Sequence, residues 1–202
     1  INFGNTSPKS IQFRFKSAPI PTASSNVASS DIRYSQSLFI AGQGDSAIVL
    51  EYTGSGLVSG SYSGSVVSSY DTYGTLKFIP NTSDSDTSAS IYLPFFNKDW
   101  WSVQVNIDES TPIATLYAAN EINGKIGFSG SNQVTFDDVS YWNDATKAFL
   151  NTGSDFTPSG AGGKYQPFSG SFQELRYWGV ELSESKFFDY TVNPYSDEGN
   201  TI

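Results

Sequence analysis

Carboxylates and aromatic rings are the side chains with most chemistry to offer here, because the chain has no histidine, no cysteine and no methionine. Without imidazole or thiol, Ser-His-Asp and Cys-His catalysis are excluded, and so are the usual zinc, copper and haem sites. Three groupings remain. The first is Tyr141-Trp142-Asn143-Asp144 with Asp137 and Asp138, in an irregular stretch over 131–146. An aromatic ring beside carboxylates and carboxamides suits a sugar, whose apolar face stacks while its hydroxyls bond to polar groups. The expected ligand set is Asp137, Asp138, Tyr141, Trp142 and Asn143. The plain alternative is that Trp142 plugs the edge of a core, since large aromatics are mostly buried. The second grouping is Asp84 and Asp86 in the polar loop Asn81–Thr87. Their hard oxygens suit calcium, as do those of the Asp137/Asp138 loop, although no twelve-residue calcium loop is present. The third is Glu174 and Arg176, two residues apart on a late strand. Such a pair is expected as a structural ion pair pinning a neighbouring strand or loop.

The composition bounds what these groups serve. The 202 residues suit one all-β domain, 1–202. Aromatics supply 15% of the chain, and 38% is hydrophobic. That is enough for a core without metal or disulfide staples. The formal charge of −9 repels phosphate backbones and anionic membranes, so neither is an expected partner. No apolar run is long enough for a transmembrane helix, and no signal peptide is recognised. Residue 1 is not methionine, so the expectation is a processed product or a segment of a longer polypeptide.

The elements that must position the candidate groups read as short strands. Ile11, Phe13 and Phe15 alternate with Gln12, Arg14 and Lys16, a half-buried strand. Strands are predicted over 38–41, 47–52, 75–79 and 88–93, with Val66 and Val67 at the centre of another. In 101–108, Trp101, Val103, Val105 and Ile107 share one face. Ser102, Gln104, Asn106 and Asp108 share the other, predicted to face outward. Strands over 115–119 and 125–130 meet at Asn123-Gly124, a strong hairpin signal. Residues 147–151 read as a short strand, and 152–166 as a Gly-rich loop. From Gly170 to Trp178 alternation puts Glu174 and Arg176 on one face, beside Phe172 and Trp178. Leu175 and Tyr177 then point the other way, so this strand is covered on both sides or bulged near Glu174. Ser183 is placed to cap a short helix through Tyr190 that stops before Pro194. Many short strands at even spacing predict an all-β, antiparallel two-sheet β-sandwich of the jelly-roll type.

Three segments in order carry a resemblance: Ile11-Gln-Phe-Arg-Phe-Lys16; Asp99-Trp-Trp-Ser-Val-Gln-Val-Asn-Ile-Asp108 with Thr115–Asn120; and Phe168–Trp178 with Leu182-Ser183. They resemble the laminin-G-like, concanavalin A-like jelly rolls, where an early Phe-x-Phe strand, a middle Trp-x-x-Val-x-Val strand and a late Gly-x-Φ-x-Glu-Φ-Arg strand recur. The tail Lys186–Tyr195 also resembles lectin-like jelly rolls in structural and fibre proteins of large DNA viruses and tailed phages. That likeness implies a virion protein. Glycosidases on this fold carry Glu-x-Asp-x-x-Glu on one strand, and here Arg176 stands where a carboxylate is expected.

The expected function is therefore a non-catalytic, lectin-like binding or adhesion module, extracellular or on a virion surface and part of an oligomeric assembly, with a glycan ligand. Calcium is the one cofactor the residues suit. Two alternatives stay open: a structural capsid or fibre module engaged with other protein subunits, and a polysaccharide hydrolase of the same fold.

Overall fold

Alternating apolar residues at the start of the chain lay one row of side chains inward, and the rest of the sandwich builds on that row. The computed structural model describes residues 7–18, 35–41, 46–52, 72–84, 86–136, 142, 148–150, 166–196 and 198–199. Its elements are β1 (Ser10–Ser17), β2 (Ser35–Ala41), β3 (Ser46–Glu51), β4 (Gly74–Ile79), β5 (Ala89–Leu93), β6 (Trp101–Asp108), β7 (Ile113–Ile122), β8 (Lys125–Thr135), β9 (Ala148–Leu150), β10 (Gln166–Pro167), β11 (Gly170–Trp178) and α1 (Glu184–Val192). One sheet of five strands runs β11-β1-β6-β7-β8. The other has six, β10-β2-β3-β4-β5 with β9 also on β2. All pairings are antiparallel except the two-residue pairing of β10 with β2. The fold is the expected all-β, two-sheet jelly-roll sandwich.

The core lies between the sheets. Ile11, Phe13 and Phe15 of β1 and Trp101, Val103, Val105 and Ile107 of β6 face it from one side. Leu38, Ile48, Leu50, Leu76 and Phe78 face it from the other. The aromatic content shows in its packing. Trp101 meets Phe95 edge-on at 4.7 Å, and Phe168 meets Phe172 at 4.9 Å. A smaller apolar cluster, Ile40, Ala47, Val49 and Ile79, is buried on the far side of the six-stranded sheet. β2 and β3 are accordingly apolar on both faces.

Asn123 and Gly124 both have positive φ (54° and 76°), the two left-handed residues that a tight β7–β8 hairpin requires. At the β6–β7 turn, Asp108 accepts from the Ser110 hydroxyl (2.6 Å), the Ser110 N–H (2.8 Å) and the Thr111 hydroxyl (2.5 Å). These bonds, the Ser110 hydroxyl foremost, lower its pKa to about 2. A lowered carboxylate pKa means that the bonds stabilise the turn fully above the unfolded carboxylate range and fade as pH falls through about 2. An NMR titration of the Asp108 carboxyl carbon should therefore show a midpoint near 2. A midpoint near 4 would contradict the turn geometry.

Two sequence expectations need correction. Ser102, Gln104 and Asn106 do face away from the core, but they do not face water: all three are buried. The chain after β11 folds back over them. Leu182 is buried, and its carbonyl accepts from Asn106 Nδ2 (2.6 Å) and Gln104 Nε2 (3.3 Å). Ser10 Oγ shares its one proton between the Val180 carbonyl (2.9 Å) and Asn106 Oδ1 (2.8 Å), and accepts from the Leu182 N–H (2.9 Å). Ser183 then caps α1, accepting from the Lys186 N–H at 3.3 Å. Phe187 of α1 packs on Tyr117 at 5.6 Å, and Tyr190 stacks on Trp178 at 6.1 Å.

In β11 the bulge expected near Glu174 is present, and the second correction is to the placing of Phe172. Arg14 pairs with Gln173 and Gln12 with Arg176, so Glu174 is an extra residue, a bulge with φ of 54°. Phe172 and Leu175 consequently both pack on the core. Phe172 thus lies on the opposite face from Arg176, not beside it. The Val66/Val67 strand lies outside the described residues.

Candidate functional site

Trp142 does not present itself to a ligand. It is buried, packed between Phe39 (6.2 Å) and Phe78 (6.0 Å). Its indole N–H donates to the Pro8 carbonyl at 2.7 Å, and its own carbonyl accepts from the Ser7 hydroxyl at 3.0 Å. A ring 1% exposed among core aromatics has no face left for a sugar, so Trp142 leaves the ligand set. Its expected companions Asp137, Asp138, Tyr141 and Asn143 lie outside the described residues.

Asp84 is committed to its own turn. One carboxylate oxygen accepts the Asp86 N–H (3.3 Å) and the other the Thr87 hydroxyl (2.9 Å). Among the described residues, no group of three or more acidic, His or Cys side chains stands together to hold a metal. Glu174 and Arg176 form an ion pair at 3.0 Å, and Arg176 also donates to the Pro194 carbonyl. The pair thereby pins the segment that follows α1 onto β11.

The outer face of the five-stranded sheet holds a different constellation. Register sets its rungs. One reads Arg176–Gln12–Gln104–Tyr117, the next Gln173–Arg14–Ser102–Ala119. On the third, Lys16 follows Phe15, and Trp100 precedes Trp101, the partner of Phe15. Lys16 and Trp100 therefore stand beside Arg14. Its guanidinium lies 5.7 Å from the centre of the half-buried Trp100 ring, a cation–π contact. Tyr195, with its side chain 87% exposed, is close enough to act on Arg14 electrostatically.

Among the described residues, four polar atoms on this face are buried without a hydrogen-bond partner: Gln12 Oε1, Gln104 Oε1, Arg14 Nε and Trp178 Nε1. Two acceptors and two donors left bare on neighbouring rungs are unusual, because buried polar groups are nearly always satisfied. Burial disfavours the charge on Arg14 and lowers its pKa, while the nearby Glu174 and Glu121 oppose the shift. The guanidinium stays charged at any ordinary pH.

Sequence reasoning missed this group because Arg14 and Trp100 are 86 positions apart in the chain. Only the antiparallel β1–β6 pairing brings them together. The available signal was the polar row Gln12, Arg14, Lys16 opposite an unassigned Trp100.

No protein-family model matches the chain, and no curated protein matches it. Solved structures do resemble it. The Ruminococcus gnavus IT-sialidase CBM40, bound to α2,3-sialyllactose, is 12% identical with a TM-score of 0.49, over 92% of this chain and 83% of that one. The heptameric SAP-like pentraxin of Limulus polyphemus is also 12% identical, with a TM-score of 0.49 over 94% and 74% of the two chains. The leech intramolecular trans-sialidase is 16% identical with a TM-score of 0.44, over 98% of this chain and 25% of that one. At these identities and TM-scores, no residue role or ligand passes from those proteins to this chain.

Proposed function

We propose that this chain is a non-catalytic glycan-binding module whose site is the outer face of the five-stranded sheet around Arg14 and Trp100. The observation that carries the reading is a half-buried guanidinium, without a carboxylate partner among the described residues, lying against a half-buried aromatic ring. Sugar hydroxyls accept from the edge of the Arg14 guanidinium that reaches solvent. Trp100 offers its ring to the apolar face of a pyranose.

Binding rather than hydrolysis is favoured by the state of the nearby acids. Glycoside hydrolysis needs two carboxyl groups facing one bond. Glu174 is tied to Arg176, and Glu121 Oε1 accepts the Gly124 N–H of the hairpin turn. The setting that goes with this reading is extracellular or virion-surface display.

A second reading, contact with other subunits of a fibre or capsid, has one observation in its favour. Tyr177 (56% exposed) on β11, an edge strand among the described residues, and Val180 (55%) just after it are large exposed apolar side chains.

The test is a glycan array followed by titration of the hits. The intact chain should bind a restricted set of glycans. Trp100→Ala should weaken that binding about tenfold, or about 1.4 kcal/mol, with its thermal unfolding little changed because the ring is only half-buried. An intact chain that binds no glycan, or a Trp100→Ala variant that binds as tightly, would sink the proposal.

A further inference from the structure

We propose, resting on that glycan-binding reading, that the ligand carries a carboxylate and that Arg14 receives it. Acids outnumber bases in this chain by 20 to 11, so carboxylates are not in short supply for a cation that needs one. Lys9 has Glu109, Lys77 has Glu51, Arg176 has Glu174, and Lys186 has Asp189 and Glu198. Among the described cations that are buried or half-buried, Arg14 and Lys16 are the two without a carboxylate within ion-pair distance. They sit two residues apart on one face of β1, both half-buried, beside the same indole.

The acids that might have neutralised Arg14 are engaged elsewhere. Glu174 gives an oxygen to Arg176 at 3.0 Å, and Glu121 gives one to the hairpin turn. Removing a guanidinium from water without a counter-ion is costly, and a chain rich in acids has had every means to avoid it. With its Nε closed off from solvent, the planar guanidinium is left with its two Nη groups as the N–H pair that can meet the two oxygens of a carboxylate. Lys16 adds a second positive charge on the next rung. Trp100, lying against the guanidinium, places a ring face where the rest of the sugar must pass.

The experiment uses the intact chain on an array of neutral, carboxylated and sulfated glycans, then compares each carboxylated hit with its methyl ester. Esterification removes the charge and keeps the ring. The expected result is signal on carboxylated glycans, at least tenfold weaker on the esters. Arg14→Gln should lose binding at least tenfold, and Arg14→Lys should restore only part of it, since an ammonium lacks the fork. Should Arg14→Gln fail to fold, the ester comparison on the unaltered protein decides alone. Equal binding of sulfated glycans would overturn the assignment to a carboxylate. Binding of neutral glycans and esters at full strength would overturn this inference and leave the glycan site standing. No binding to any glycan would overturn both.

Discussion

Trp142→Ala is expected to cost about 3–5 kcal/mol of folding stability, read as a lowered urea midpoint with little change in slope. The indole fills space between Phe39 and Phe78 and is 1% exposed. Removing it forfeits the transfer of a large ring and opens a cavity that two strands of the six-stranded sheet cannot close. It also strips the Pro8 carbonyl of its donor, and that bond holds the approach to β1. Trp142→Phe keeps ring contacts and loses the N–H, so it should cost less than Trp142→Ala. The alanine variant should also bind glycans normally at temperatures where it remains folded. A loss of binding without a loss of stability would return Trp142 to the ligand set.

Asn106→Leu carries the second large effect, on the order of 2–4 kcal/mol, because it leaves more than one buried group unsatisfied. Asn106 is the joint between sheet and strap. Its Nδ2 donates to the Leu182 carbonyl at 2.6 Å, and its Oδ1 accepts from Ser10 Oγ (2.8 Å) and Gln104 Nε2 (3.1 Å). Leucine is close to it in size, so the loss is of bonds rather than of volume. The Leu182 carbonyl then keeps only the longer bond from Gln104. Amide hydrogen exchange should rise in α1 ahead of global unfolding, since the helix is fastened just before its cap. A variant as stable as the parent, with exchange in α1 unchanged, would show that the aromatic contacts of Phe187 and Tyr190 hold the helix unaided.

The strands were legible wherever one face is apolar and the other polar. β1 and β6 alternate residue by residue, and both form within a residue or two of their predicted bounds. The hairpin at Asn123-Gly124 and the cap at Ser183 were legible because each rests on a local backbone need. What covers the outer face was not. Ser102, Gln104 and Asn106 look like residues meant for water, yet all three are buried, and Gln104 and Asn106 bond to the carbonyl of Leu182, nearly eighty residues away. Register hid the candidate site for the same reason. A polar row beside a tryptophan means little until two strands are paired, and pairing is a property of the whole sandwich. The Trp142 loop drew attention because its polar neighbours are adjacent in sequence, yet the indole itself turned inward to fill the core.

The bulge at Glu174 has a consequence for how this chain meets others like it. Among the described residues, β11 is an edge strand of its sheet. A flat nine-residue edge with bare amides and carbonyls is a template for another chain to extend. One extra residue at positive φ breaks that template in the middle, so no straight partner strand can stay in step along its whole length. The insertion does this without disturbing the sandwich. With Glu174 taken out, Gln173 and Arg176 still face outward and Phe172 and Leu175 still face the core. The residue that the strand can spare geometrically is thus the one that guards its edge against polymerisation, and that holds Arg176 while leaving Arg14 free.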